Sequence, residues 1–226
     1  MSGVAGWKAV DPKWSAVDGL VEDVLLEDDA ELAACIARSK EAGLPDIAVS
    51  PAQGRFLQML VELTGATRVL EIGTLGGYST LHLARGVGEG GSVVTLEARK
   101  TYAAVAQANF DASAAGGRVE MQIGAALKSL AKLEGPFDLT FIDADKPNNC
   151  NYVDHALRLS RPGALIIVDN VVREGNILDP AEDDESAKGT RALYHYVAAE
   201  PRLEATVLQT VGEKGWDGMM FLKVTD

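Results

Sequence analysis

The chain has 226 residues, 47% of them hydrophobic, enough to build a single α/β domain with a sizeable core. Its formal net charge of −12 and pI near 4.7 argue against nucleic acid or an anionic membrane as the main partner and point to small molecules. Its two cysteines, Cys35 and Cys150, give no disulfide framework, and Cys35 reads as a core position of an early helix. The first residues lack the basic and apolar pattern of a leader, and no apolar run, Ala164 to Val168 included, approaches the ~20 residues that span a bilayer. A cytoplasmic protein with no membrane partner is expected.

Residues 1–17 carry Gly3, Gly6, Trp7, Pro12 and Trp14, too irregular for a periodic element and aromatic enough for an ordered lid or a partner contact. From Asp18 to Glu41 the spacing of Leu20, Val24, Leu25, Leu32 and Ile36 predicts amphipathic helix, with a break near Asp28 and Asp29. Gly43 and Pro45 end it. Ser50 as N-cap, Pro51 behind it and Gln53 completing a capping box open the next helix, which runs to about Gly65.

From Thr67 strands and helices alternate. Strands are predicted at Arg68 to Ile72, Ser92 to Leu96, Val119 to Ile123, 137–143 and Ala164 to Asp169. Helices are predicted between them at Tyr78 to Arg85, Lys100 to Ala115, Ala125 to Lys132 and Asn151 to Leu159. Alternation of this kind implies right-handed crossovers and a parallel sheet covered on both faces. The acidic run 181–186 reads as a solvated loop before a helix from Ala187 to Glu200, and Leu203 to Val211 with Gly218 to Val224 suggests a terminal antiparallel hairpin.

The first strand runs into EIGTLGGYS, residues 71–79, where Gly73, Gly76 and Gly77 let the backbone turn sharply against a ligand or merely into a helix. The spacing is not that of the dinucleotide fingerprint, and Glu71 would oppose a pyrophosphate, which disfavours an NAD-dependent oxidoreductase. A cationic ligand suits Glu71 better. Glu97, at the end of the second strand, stands where an acid accepts hydrogen bonds from a ribose. S-adenosylmethionine carries a ribose, an ammonium and a sulfonium and no phosphate.

The stretch FDLTFIDADKPNN, residues 137–149, is a buried strand that ends in Asp143, Asp145 and Lys146. If its neighbour is the strand ending in Asp169 and Asn170, tips about 5 Å apart bring Asp143, Asp169 and Asn170 to one point. All-oxygen donors select a hard divalent ion, Mg²⁺ first, with Ca²⁺ or Mn²⁺ as alternatives. The other reading leaves Asp143 to a cofactor and makes Asp169 and Asn170 a turn. A phenol with a pKa of about 10 is only ~0.1% ionised at pH 7, and a cation can supply the roughly 4 kcal/mol needed to change that. Lys146 then adds positive charge beside the oxygen or takes its proton, unless it is a surface lysine paired with Asp145.

Together EIGTLGGYS, VTLEARK, FIDADKPNN and RPGALIIVDNVV resemble the cation-dependent O-methyltransferases, the family of caffeoyl-CoA and catechol O-methyltransferases and their bacterial relatives. The resemblance runs from about Val49 to the end. It implies a Rossmann-like class I methyltransferase fold with a seven-stranded sheet over residues 49–226, residues 1–48 being a helical extension or lid. It also implies S-adenosylmethionine as donor, a phenolic acceptor with vicinal hydroxyls, and a homodimer. By motif, the metal ligands are Asp143, Asp169 and Asn170, and Lys146 and Asp143 are catalytic. The cofactor would meet Val49, Glu71, Gly73, Thr74, Ser79, Glu97, Asp143 and, from GAAL, Ala126. Arg173 stands where plant relatives place an aromatic residue, and it could meet a carboxylated acceptor. Trp216 and Asp217 could wall the pocket, although a buried hairpin tryptophan is the plainer reading. His82, His155 and His195 show no ligand spacing.

Among other readings, some bacterial relatives methylate a hydroxylated uridine of tRNA, which the acidic balance disfavours here. A fold that has lost turnover would not be expected to keep Asp143, Lys146, Asp169 and Asn170.

Overall fold

A computed structural model describes residues 10–225. A seven-stranded sheet in the order β3-β2-β1-β4-β5-β7-β6 is built from β1 (Arg68–Ile72), β2 (Ser92–Glu97), β3 (Val119–Ile123), β4 (Phe137–Ile142), β5 (Ser160–Asp169), β6 (Leu203–Gly212) and β7 (Gly215–Val224). β1 to β5 pair in parallel, and β7 runs antiparallel between β5 and β6. The expected Rossmann-like sheet with a terminal hairpin is what the chain forms. Its strand order reverses between β1 and β4, the place in such a sheet where ligands bind beyond the carboxyl ends.

The helices are α1 (Pro12–Leu25), α2 (Ala30–Glu41), α3 (Pro51–Thr64), α4 (Tyr78–Gly86), α5 (Lys100–Asp111), α6 (Ala126–Leu130), α7 (Asn149–Leu159) and α8 (Glu185–Ala199). Successive residues of β1 feed opposite cores, as a strand with a period of two must. Val69 packs with Leu32, Cys35, Leu57 and Leu81 under α2 to α5, while Leu70 and Ile72 pack with Tyr152, Val153 and Leu193 under α6 to α8. Cys35 is a core residue, only 1% exposed.

Several boundaries differ from the sequence expectation for identifiable reasons. The break expected near Asp28 and Asp29 is present, because the Asp29 carboxylate caps α2 by accepting the Leu32 N–H at 2.9 Å. α1 starts earlier, at Pro12 behind an Asp11 cap, so Trp14 is helical. Gly3, Gly6 and Trp7 of the expected lid lie outside the described residues. α5 stops short of Ala115 because the chain folds back over its end: a Cβ on Gly116 would lie 1.8 Å from the Phe110 carbonyl oxygen. α8 begins inside the acidic run, where Asp184 caps Ala187 N–H at 2.8 Å and Glu185 faces the positive helix end. The hairpin strands extend to Gly212 and from Gly215, which puts Trp216 and Asp217 in β7 and not in a loop. No helix among the described residues is long and apolar enough to cross a membrane.

Candidate active site

The tips of β1, β2 and β4 close on one glycine. Gly73 sits at φ 106°, its N–H donates to the Leu96 carbonyl at 3.0 Å, and the Asp143 N–H donates to the Ile72 carbonyl at 2.9 Å. A Cβ on Gly73 would lie 2.1 Å from the Asp143 carbonyl oxygen, so this approach requires glycine. Thr74 is buried in the turn, and its hydroxyl lies 2.6 Å from that of Thr95. Leu75 follows in the left-handed region, its N–H bound to Glu97 Oε2 at 2.9 Å. Glu97 Oε1 accepts the Arg99 N–H at 2.8 Å, so the buried carboxylate ties the ends of both strands together.

Glu71 is wholly buried on the α2-to-α5 side. Ser79 and Thr95 hydroxyls donate to it at 2.6 Å each, and Thr80 donates as well. Burial pushes its carboxyl up to about 7 against these donors, with a smaller upward push from the Asp143 charge. Val49 is buried just before Ser50, whose hydroxyl caps Gln53 N–H at 3.3 Å, and Ala126 opens α6.

Beyond β4 a short 3-10 turn, Lys146–Asn148, brings the buried Lys146 back, and its Nζ donates to Asp143 Oδ1 at 2.8 Å. The alternative partner, Asp145, is engaged instead by Tyr152 and Asn148. α8 holds the turn closely, since a Cβ on Gly189 would lie 2.6 Å from the Lys146 carbonyl oxygen. Register pairs Ile142 with Val168, so Asp143 and Asp169 leave neighbouring tips side by side. Asp169 is 5% exposed, and burial followed by the Asp143 charge raises its carboxyl while Lys146 opposes the rise. Asn170 turns the chain at φ 56° and donates its N–H to Asp169 Oδ1 at 2.8 Å.

Two further residues belong to this constellation. Gln53 completes no capping box: its Nε2 donates to Asp169 Oδ2 at 2.7 Å. Asp217, 8% exposed, accepts the N–H groups of Val172 and Arg173 at 3.0 Å each and of Gly218 at 2.9 Å through Oδ1. It thereby holds a loop in which Asn170, Arg173, Glu174 and Gly175 all have positive φ. Such backbone persists only where its surroundings impose it. Arg173 Nε is buried and has no hydrogen-bond partner among the described residues. Trp216, expected to be buried, is 36% exposed: β7 turns it outward, where its Nε1 donates to Gln209 at 2.9 Å and its ring lies over Gly175. His82 is buried edge-on against Tyr78, away from the cluster, and burial lowers it to about 4.

No group of three or more His, Cys, Asp or Glu side chains suited to a metal occurs among the described residues. The donors at the β4 and β5 tips are two carboxylates and an amide. That set still fits a hard cation, because two adjoining carboxylates face a single ammonium and Asp169 carries the electrostatic cost. Two surface clefts lie elsewhere, one of 440 Å³ beside Arg85 and Arg118 and one of 470 Å³ between α8 and the hairpin. The first is lined by Asp28, Asp29 and Glu31, but Arg85 pairs with Asp29 and Glu31 there, and the second carries a single acid, Glu200.

A family model described as O-methyltransferase matches residues 24–223. The chain is 51% identical over 203 residues to the catechol O-methyltransferase of Mycobacterium tuberculosis, covering 89% of this chain and 92% of that protein. It is 46% identical over 211 residues to the catechol O-methyltransferase of Niastella koreensis, covering 91% and 95%. The crystal structure of the O-methyltransferase from Bacillus cereus in complex with SAH has a TM-score of 0.91 and 50% identity, covering 94% of this chain and 99% of that one.

Proposed function

Because the chain belongs to the O-methyltransferase family and is an S-adenosylmethionine-dependent enzyme with the Rossmann-like class I fold, we propose that it methylates one hydroxyl of a catechol-like small molecule with the aid of a divalent cation. The observation that carries this reading is the pair Asp143 and Asp169 on adjoining strand tips, with Lys146 Nζ 2.8 Å from Asp143.

In this reading Asp143, Asp169 and Asn170 hold the cation, most simply Mg²⁺, with Ca²⁺ and Mn²⁺ as alternatives. When bound, it supplies stabilisation of an acceptor oxyanion. Lys146 stands beside that oxygen, where its Nζ balances negative charge or receives the hydroxyl proton. The Gly73 turn, with Val49, Thr74, Ser79, Glu97 and Ala126, receives the methyl donor, and Glu71 is the acidic group nearest in character to its ammonium. Packing around the β1 and β4 tips excludes water and aligns sulfonium and oxygen, which is the larger share of what this chain contributes. Arg173 faces acceptors that carry a carboxylate.

The protein works in the cytoplasm as a homodimer. What supports the dimer is α1, none of whose residues is buried, and whose Val17, Leu20 and Val24 form one exposed apolar stripe on a helix that packs against α3. A methyl-transfer assay over neutral and acidic catechols, with and without EDTA, tests the activity. Loss of turnover on chelation and its return with Mg²⁺ is the expected result. Full turnover after exhaustive chelation, or in Asp169→Ala, overturns the metal-dependent reading.

A further inference from the structure

Asp169 is the less exposed of the two carboxylates at the strand tips, and both of its oxygens have donors. Asn170 N–H binds Oδ1 at 2.8 Å, and the side-chain amide of Gln53 binds Oδ2 at 2.7 Å from 116 residues away. The terminal torsion of a carboxylate is otherwise broad and roughly two-fold, so one donor on each oxygen fixes the plane of the group. Each carboxylate oxygen has about two acceptor sites, so each keeps one for a further partner.

Gln53 is itself held on two sides. α3 begins at Pro51 behind the Ser50 cap, and Gln53 Nε2 also lies 3.6 Å from the sulfur of Met219, the β7 residue in register with Asp169. The type of donor matters too. An ammonium at this place would repel a dication, and a carboxylate would compete for it or repel Asp169. A neutral amide orients the ligand without changing the charge of the site.

We infer that Gln53 is a positioning residue for cation binding, setting the Asp169 carboxylate in the plane it needs before the ion arrives. This rests on the metal-dependent reading above. Removing such an outer hydrogen bond lowers metal affinity by roughly 10- to 100-fold.

The test is Mn²⁺ binding to the full chain, followed by electron paramagnetic resonance of the free ion, in wild type, Gln53→Met and Gln53→Asn. Methionine keeps the length and the packing against Met219, and asparagine keeps an amide one methylene too short to reach Asp169. Both variants are expected to bind Mn²⁺ at least tenfold more weakly, while thermal unfolding of the metal-free protein and affinity for S-adenosylmethionine stay close to wild type. Affinities within threefold of wild type in both variants overturn the inference and leave the metal site standing. A wild-type protein that takes up no Mn²⁺ overturns the metal-dependent reading, and the role of Gln53 falls with it.

Discussion

Gly73 and Asp143 meet backbone to backbone: a single added methyl on Gly73 would lie 2.1 Å from the Asp143 carbonyl oxygen. The turn that follows β1 and the acid that ends β4 are therefore one rigid unit. Gly73→Ala has to separate them and also occupy φ 106°. Overpacking and the backbone penalty together predict a loss of about 2–4 kcal/mol in urea unfolding. A fall in kcat/KM of at least ~100-fold should accompany it, because misplacement by an ångström at the reacting centre costs that much. A variant of wild-type stability and activity would show that the two tips move independently.

The state of Glu71 makes the metal-free protein sensitive to pH. Its ordinary value of 4.5 is raised to about 7 in the fold, chiefly by burial. Between those values the unfolded chain has released the proton and the folded chain still holds it, so the contribution is full below about 4.5 and lost as pH rises to about 7. The size is about 3 kcal/mol. Urea unfolding of wild type and Glu71→Gln at pH 5, 6, 7 and 8 should show the difference between them changing across this window. A constant difference would mean that Glu71 titrates alike in both states.

Arg173 bears on which acceptors are used. Its Nε is buried without a hydrogen-bond partner among the described residues, and its backbone N–H is held by Asp217. Arg173→Ala is expected to lower kcat/KM for caffeate by roughly tenfold or more, the worth of a charge-assisted hydrogen bond, and to spare a neutral catechol. An unchanged ratio between the two acceptors would remove Arg173 from substrate selection.

The apolar stripe on α1 predicts the oligomeric state. Light scattering should give twice the chain mass of 23.9 kDa for wild type and a monomer for Leu20→Asp combined with Val24→Asp. Because these side chains are 62% and 66% exposed, the double variant should fold normally. A monomeric wild type would leave the stripe without a partner of its own kind.

Legibility in the sequence followed the range of the interactions. The β4 run and its acidic end could be read because a strand buried on both faces has a continuous apolar pattern, and Asp143 and Lys146 lie within three residues of each other. The N-cap of α3 was legible for the same local reason. Gln53 was misread as the second half of a capping box, since its real partner is 116 residues distant. The hold of Asp217 on the loop after Asn170 was equally hidden, although the residue itself stood out as a pocket wall: it lies 45 residues from Val172, and only the antiparallel pairing of β7 with β5 brings them together. The end of α5 was missed because its cause is the chain folding back at Gly116, a steric fact with no periodic signature.

The sheet order also constrains how the enzyme comes into being. β7, which follows β6 in the chain, is an interior strand, paired on one side with β5 and on the other with β6. Until it is made, β6 lacks its sheet neighbour among the described strands, and the backbone after Asn170 lacks the Asp217 carboxylate that holds it. A nascent chain arrested before Gly215 should accordingly be inert and prone to cling to other chains through the open flank of β5, maturing only when β7 slots into place.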